Sequence, residues 1–403
     1  MSAPKKPIRV LFISEAYPPT SGGVATSARR VARNLTRCGC KVLVLTFDGS
    51  RPLTDDDYLV GENDEGVEIQ RIGPFFLKQP SVEAERLSEK IRAVFRRRAF
   101  DQMEQLAKNF QPAIVLSFYV VNAGFLATYV ARSLGLPHVV GVRGNDIGRN
   151  IFSIDRLAAV RLVIEGSAHV VCVNEHLRRR MLLAFPDVSK RASVIMNSVE
   201  MPCGLPSQRS RNYLSDKLDW PVSDPVAVFI GTPREKKGIT LLLHAVEIAR
   251  NQVPLRLLIV GPGLGGVERR QCGERWERLA ASKILHATGQ ISRTDALRIA
   301  AEGDIVVMPS IEDGLANGLL EGMALGLCPV VSDLFADVVP DGEAGWVAMR
   351  NNATKFAEAL VKAVNALGER SRYTAAAQAR IAEHHMPTRE AEAYIRLFTS
   401  LIA

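Results

Sequence analysis

The sequence predicts two doubly wound, Rossmann-like α/β domains in one chain. Apolar runs of strand length alternate with helical segments. The alternation falls into two blocks, each near the size of a domain, and a stretch without sustained period separates them. The chain has 403 residues, too many for one ordinary domain. Hydrophobic residues make up 47% and charged residues 23%, the proportions of a globular protein with a sizeable core.

The first run, "IRVLFIS", is apolar throughout, as a parallel strand buried on both faces requires. After the loop "EAYPPTSGG", Val24, Ala28, Val31 and Leu35 recur at helical spacing, and Gly39 is placed to stop that helix. "KVLVLTF" follows as the next strand, completing a right-handed βαβ unit. "AIVLSF", "PHVVGV", "AHVVCV" and "ASVIM" continue the pattern. The stretch 199–222 has three prolines and no period, and reads as a linker. Alternation resumes with "VAVFIG", a helix from about Ile239, then "LRLLIVG", "KILHATG", "DIVVMPS" and "CPVVS". The expected domains are therefore 1–200 and 201–386. A closing helix over 387–403 carries an apolar side of Tyr394, Ile395, Phe398 and Ile402, which must bury itself on a neighbour.

Lys and Arg total 51 against 43 Asp and Glu, a net charge of +8 that favours anionic partners without choosing among them. Nucleic acid is not expected, because no aromatic residues interleave the basic ones. The N-terminal apolar run is too short for a signal peptide, and no stretch approaches the roughly 18–20 apolar residues that span a bilayer. The six cysteines are scattered; only Cys38 and Cys40 are near neighbours, without a second ligand pair. A reducing cytoplasm is the expected location, and no metal site is expected.

Ligands of open α/β sheets bind beyond the carboxyl ends of the strands, and four segments there stand out. "EAYPPTSGG" ends on Gly22 and Gly23 just before a helix, where amides and the helix dipole suit an anion; a plain turn is the alternative. "GTPREKKG", residues 231–238, sets Arg234, Lys236 and Lys237 ahead of a helix, which suits a diphosphate or merely a solvated surface. "GPGLGG", residues 261–266 around Gly263, satisfies G-x-G-x-x-G. Pro262 stiffens it, however, and no acid ends the next strand, so close packing or one edge of a nucleotide site is expected instead of a dinucleotide site. "PSIEDGLANGLLEGMALG" places Asp313 in a loop and Glu321 one turn into a helix that can start at Asn317, a good N-cap residue. Carboxylates there accept hydrogen bonds from sugar or ribose hydroxyls, or else Asp313 forms the turn and Glu321 is solvated.

Taken in order, "EAYPPTSGGVA", "REKKG", "LLIVGPG", "DIVVMPS", the Asp313-to-Glu321 segment, "MALGLCPVVSD" and "DGEAGWV" resemble glycosyltransferase family 4. The resemblance implies a GT-B fold, its two Rossmann-like domains facing each other across a cleft. It also implies a retaining, hexosyltransferase-type enzyme that uses a nucleoside diphosphate sugar and no metal or other cofactor. In that pattern Gly22, Gly23, Gly231 and Gly263 lie at the donor, and Arg234 and Lys237 neutralise the departing diphosphate. Glu321 takes the ribose hydroxyls, Asp313 the sugar, aided by amides of Leu315, Ala316 and Asn317. Arg143 and Asp146, in "VRGNDIG", fall on the acceptor side. Three positions depart from the family: Asp313 replaces a Glu, leaving Glu312 or Asp313 to meet the sugar; Thr232 replaces an Arg; and Arg143 replaces a His.

The acceptor is expected to be a glycan, a lipid-linked glycan or a small molecule, as in polysaccharide or glycolipid synthesis. "IRAVFRRRAF" and "EHLRRRM" suggest peripheral attachment to the anionic inner face of a membrane, with Ile91, Val94 and Phe95 dipping in; ordinary surface helices are the alternative. A catalytically silent nucleotide-sugar-binding subunit and a GT-B-type sugar epimerase are the competing functions.

Overall fold

Continuous apolar runs form the centres of two sheets. The computed structural model describes residues 6–20, 22–49, 56–75, 89–201 and 210–403. The chain divides into two units, Met1–Asn197 with Pro387–Ala403, and Ser198–Met386. Each is a doubly wound α/β layer structure, as the alternation predicts.

The first unit holds β1 (Arg9–Ser14), β2 (Lys41–Phe47), β3 (Tyr58–Asp64), β4 (Val67–Gly73), β5 (Ile114–Phe118), β6 (His138–Val142), β7 (His169–Cys172) and β8 (Ala192–Val194). Their order is β3-β4-β2-β1-β5-β6-β7-β8, parallel except for the β3–β4 pair. The order reverses between β1 and β5. One apolar cluster fills each face: Val10, Phe12 and Leu116 on one, Leu11, Ile13 and Val115 on the other. His138 is buried in this unit beside the hydroxyls of Ser117, Thr128 and Ser167, and burial pulls its pKa down to about 3, so the ring is neutral.

The β3–β4 hairpin is absent from the sequence reading, although Tyr58 opens β3. Glu65 and Gly66 make the turn with φ of 53° and 88°, the twist-matched geometry of a two-residue hairpin. β3 is a largely exposed edge strand, so no apolar run marks it.

The second unit holds β9 (Val226–Ile230), β10 (Arg256–Val260), β11 (Leu285–Ala287), β12 (Ile305–Met308), β13 (Cys328–Ser332) and β14 (Trp346–Ala348), in the order β11-β10-β9-β12-β13-β14, all parallel. This is the dinucleotide-fold order, with its reversal between β9 and β12. Of the expected linker, 202–209 lies outside the described residues. Residues 210–222 pack into the second unit: Leu214 and Trp220 are buried, and Glu302 accepts the amides of Tyr213 and Leu214 at 3.2 and 3.1 Å.

The last helix, Pro387–Ile402, returns to the first unit and packs along helix Gly23–Arg37. Tyr394 and Phe398 are fully buried there, and Ile395 partly, whereas Ile402 at the helix end is exposed. Between the two helices Arg30 and Glu390 form a buried, two-pronged ion pair at 2.9 and 3.2 Å.

Candidate active site

The reversal in strand order selects the loops that follow β9 and β12. The first, residues 231–238, starts at Gly231 (φ 132°), makes a single 3-10 turn over Glu235–Lys237 and enters helix Ile239–Ala249 through Gly238. The second follows β12 directly. Lys236 accepts backbone bonds from the amides of Ile311 and Glu312 at 2.9 and 3.0 Å, so the basic and acidic loops lie side by side. Gly238 makes this approach workable. Its φ is 71°, and a Cβ there would sit 2.2 Å from the Pro309 carbonyl oxygen. Gly238→Ala is therefore expected to cost about 1–3 kcal/mol. It should lower the unfolding midpoint of the second unit and weaken nucleotide binding, both readable in a denaturant titration and a binding isotherm.

The two loops bring Lys237 to Asp313, with Nζ 3.7 Å from Oδ2. Asp313 Oδ1 accepts the amide of Gly314 at 2.9 Å; Oδ2 is buried and takes no hydrogen bond. Arg234 is exposed, and its guanidinium has no partner among the described residues. One unpaired cation, one loosely paired cation and one under-satisfied carboxylate thus lie on the loops that leave two adjacent strands, β9 and β12. Glu312 is half-buried on the same loop.

Helix Asn317–Ala324 begins just beyond. Its N-cap is Ala316, not Asn317, and no side chain caps it. Asn317 is the first helical residue, so the expected side-chain cap is not made, and the helix N-terminus lies beside the acidic loop. Leu315 and Ala316 are buried. The helix lies hard against the sheet through two glycines: a Cβ at Gly318 would stand 2.3 Å from the Ile230 carbonyl oxygen, and one at Gly322 2.4 Å from Val306. That close packing sets Glu321, which is buried. Its Oε1 accepts Arg293 Nε and Nη2 at 3.2 and 2.8 Å. Sequence reasoning missed Arg293, since a polar residue at a helix start carries no pattern.

In the "GPGLGG" loop Gly261 serves packing. A Cβ at Gly261 would meet the Gly231 carbonyl oxygen at 2.2 Å, and the Gly261 amide donates to Thr288 Oγ1 at 3.1 Å. Gly263 is exposed with open space around it. Helix Gly266–Ala281 starts after the loop, and its buried Glu268 accepts the amide of Glu235 at 3.3 Å, tying this loop to the basic one.

In the first unit the reversal selects the loops after β1 and β5, and Asn122 Nδ2 donates to Glu15 Oε1 across them at 3.0 Å. Gly22 (φ 132°) caps helix 23–37, and both Gly22 and Gly23 are exposed with open space at their Cβ positions. Tyr17, Arg29 and Arg33 converge on Asp64 of the hairpin and pin the preceding segment. Arg143 follows β6. Its Nη2 donates to Asn197 Oδ1 at 2.5 Å, its guanidinium lies 4.2 Å over the Phe118 ring, and Nη1 is buried without a partner. Asp146 is fully buried and committed to its own turn, accepting the amides of Arg143 (3.0 and 2.8 Å) and Gly144 (2.7 Å). Burial pushes its carboxyl up to about 6, against those amides. Asp146 therefore shapes the loop that carries Arg143 and presents no carboxylate to solvent.

Of the residues expected to enter a membrane, Ile91 and Val94 are exposed, but Phe95 is 8% exposed and belongs to the core, because it faces the sheet from helix Glu89–Phe110. Among the described residues no helix is long and apolar enough to cross a membrane, and no cluster of three His, Cys, Asp or Glu side chains is placed to hold a metal ion.

Two family models cover these units. Residues 21–201 match Glycosyltransferase Family 4, and residues 224–366 match Glycosyl transferases group 1. An uncharacterised glycosyltransferase of Methanocaldococcus jannaschii is 22% identical over 340 residues, 81% of each chain. Among solved structures, sucrose-phosphate synthase from Thermosynechococcus elongatus matches at a TM-score of 0.76 with 16% identity, covering 98% of this chain and 99% of that one. The Anabaena protein HepE, solved with UDP and glucose, matches at 0.72 with 17% identity, covering 98% and 100%.

Proposed function

This chain belongs to glycosyltransferase family 4 and has the GT-B fold, and from that premise we propose that it transfers a sugar from a nucleoside diphosphate sugar to an acceptor with retention at the anomeric carbon, without a metal. The juxtaposition of the 231–238 and 309–316 loops carries the reading. Arg234 and Lys237 leave β9, and Asp313 and helix 317–324 follow β12, its neighbour, with Lys237 beside Asp313.

The barrier to transfer is cleavage of the sugar–phosphate bond through an oxocarbenium-like state while charge collects on the diphosphate. Arg234 and Lys237 are the cations for that charge, and the helix N-terminus adds its dipole. Cations on the leaving diphosphate do the work a divalent ion would otherwise do. Asp313, with Oδ2 unsatisfied, is placed to accept from a sugar hydroxyl, and Glu321 from the ribose. Among the described residues no carboxylate is poised as a nucleophile, which favours a front-face route in which the leaving phosphate takes the acceptor proton. Within the first unit, Gly22 and Gly23 before a helix suit a phosphate, and Arg143 suits an acceptor. The HepE complex with UDP and glucose supports a donor of this class. A lipid-linked or other glycan acceptor, and residence at the inner face of a membrane, belong to the same reading; exposed Ile91 and Val94 favour it.

The test is incubation with a panel of UDP-, GDP- and ADP-sugars and candidate acceptors. Expected are release of nucleoside diphosphate, a product with the donor's anomeric configuration by NMR, and no loss on adding EDTA. Binding without turnover would identify a silent subunit, and epimerised donor without transfer an epimerase.

A further inference from the structure

Arg293 opens helix Arg293–Ala300, whose N-cap Ser292 accepts the amide of Asp295 at 3.1 Å. A cation in the first turn faces the positive end of the helix dipole, so helix formation does not favour it there. Its contacts are elsewhere. Nε and Nη2 both donate to Oε1 of Glu321, and Nη2 also donates to the Glu200 carbonyl at 2.7 Å. Glu321 itself has an 11% exposed side chain, on a helix locked to β9 and β12 by Gly318 and Gly322. Only Oε1 is engaged: Oε2 takes no hydrogen bond from the described residues and is not among the buried, unsatisfied atoms.

We propose that Arg293 is a positioning residue that makes Glu321 a one-faced acceptor, holding Oε1 so that Oε2 meets the ribose hydroxyls, and that preference for ribonucleotide over deoxyribonucleotide donors resides in this pair. The proposal rests on the reading of Glu321 as the ribose ligand. A buried carboxylate with its partner removed is free to turn away or to take up other donors, and a vicinal diol then loses a fixed target. The ligand class is a nucleoside diphosphate with both ribose hydroxyls intact.

The experiment uses the full chain and isothermal titration. UDP, GDP and ADP are compared with dUDP, dGDP and dADP, following the base that binds tightest. The wild type is expected to prefer the ribonucleotide by at least about tenfold. Arg293→Ala should lose at least about tenfold in ribonucleotide affinity and almost none for the deoxy form, so that the preference collapses. Arg293→Lys, which offers a single donor in place of the fork, should recover part of it. In a Glu321→Ala background, Arg293→Ala should change the ratio no further. Equal losses for both nucleotides would mean that Arg293 only attracts phosphate, and an unchanged ratio would mean that it does nothing for the ribose; either overturns the proposal. A wild type without ribose preference, or a Glu321→Ala chain that keeps it, overturns the reading of Glu321 first. Arg293→Lys carries the comparison should the alanine variant melt early.

Discussion

Lys237→Ala is expected to reduce turnover by about 10²–10³-fold, the scale for removing one preorganised charge-stabilising donor, while the second unit stays folded. Its Nζ lies 3.7 Å from Asp313 Oδ2, too long for a hydrogen bond, so the folded state gives up little when it goes. The transition state gives up much more, because charge builds on the diphosphate only as the sugar leaves. The loss should therefore fall on kcat more than on KM. Rapid-quench measurement of nucleoside diphosphate release reads the loss. A Lys237→Ala chain that turns over normally removes the diphosphate assignment.

Glu390→Ala is expected to destabilise the first unit by about 3–5 kcal/mol, the cost of stranding one charge of a buried pair. Arg30 and Glu390 are 6% and 3% exposed at their side chains and engage through two hydrogen bonds. With Glu390 gone, Arg30 is left charged on the same side of the unit as Arg143. Replacing both by methionine should recover much of the loss, since no charge is then stranded. Calorimetry should show the first unit's transition shifting down while the second unit's stays in place. Equal stability of Glu390→Ala and wild type would make the pair ornamental.

Most of the architecture was legible because buried parallel strands carry their own signature. "VLFI", "VLVLTF", "IVLSF", "VAVFI" and "IVVM" lie on the buried strands the apolar runs predict. The final helix was legible by its face, Tyr394 and Phe398. β3 was not, because an exposed edge strand has no apolar run to show. Nor was the fate of Asp146: a carboxylate in a loop looks alike in sequence whether it meets a ligand or its own backbone amides. The helix at Asn317 takes Ala316 as its cap, one residue before the expected one, for a related reason, since Gly318 and Gly322 seat it against the sheet and that contact, not the capping propensity of asparagine, sets its start.

The sequence by itself determined that there are two alternating α/β blocks and which loops carry cations, acids and glycines, because strand and helix periodicity is a local property of the chain. Only the tertiary structure decided that the loop at 231–238 lies against the loop at 309–316, that Glu268 ties in a third, and that Arg293 holds Glu321. Those pairings follow from strand order and from backbone approaches of little more than 2 Å at a would-be Cβ of Gly238, Gly261 and Gly318. They join residues distant in the chain, and no local pattern records which distant carbonyl a glycine will face.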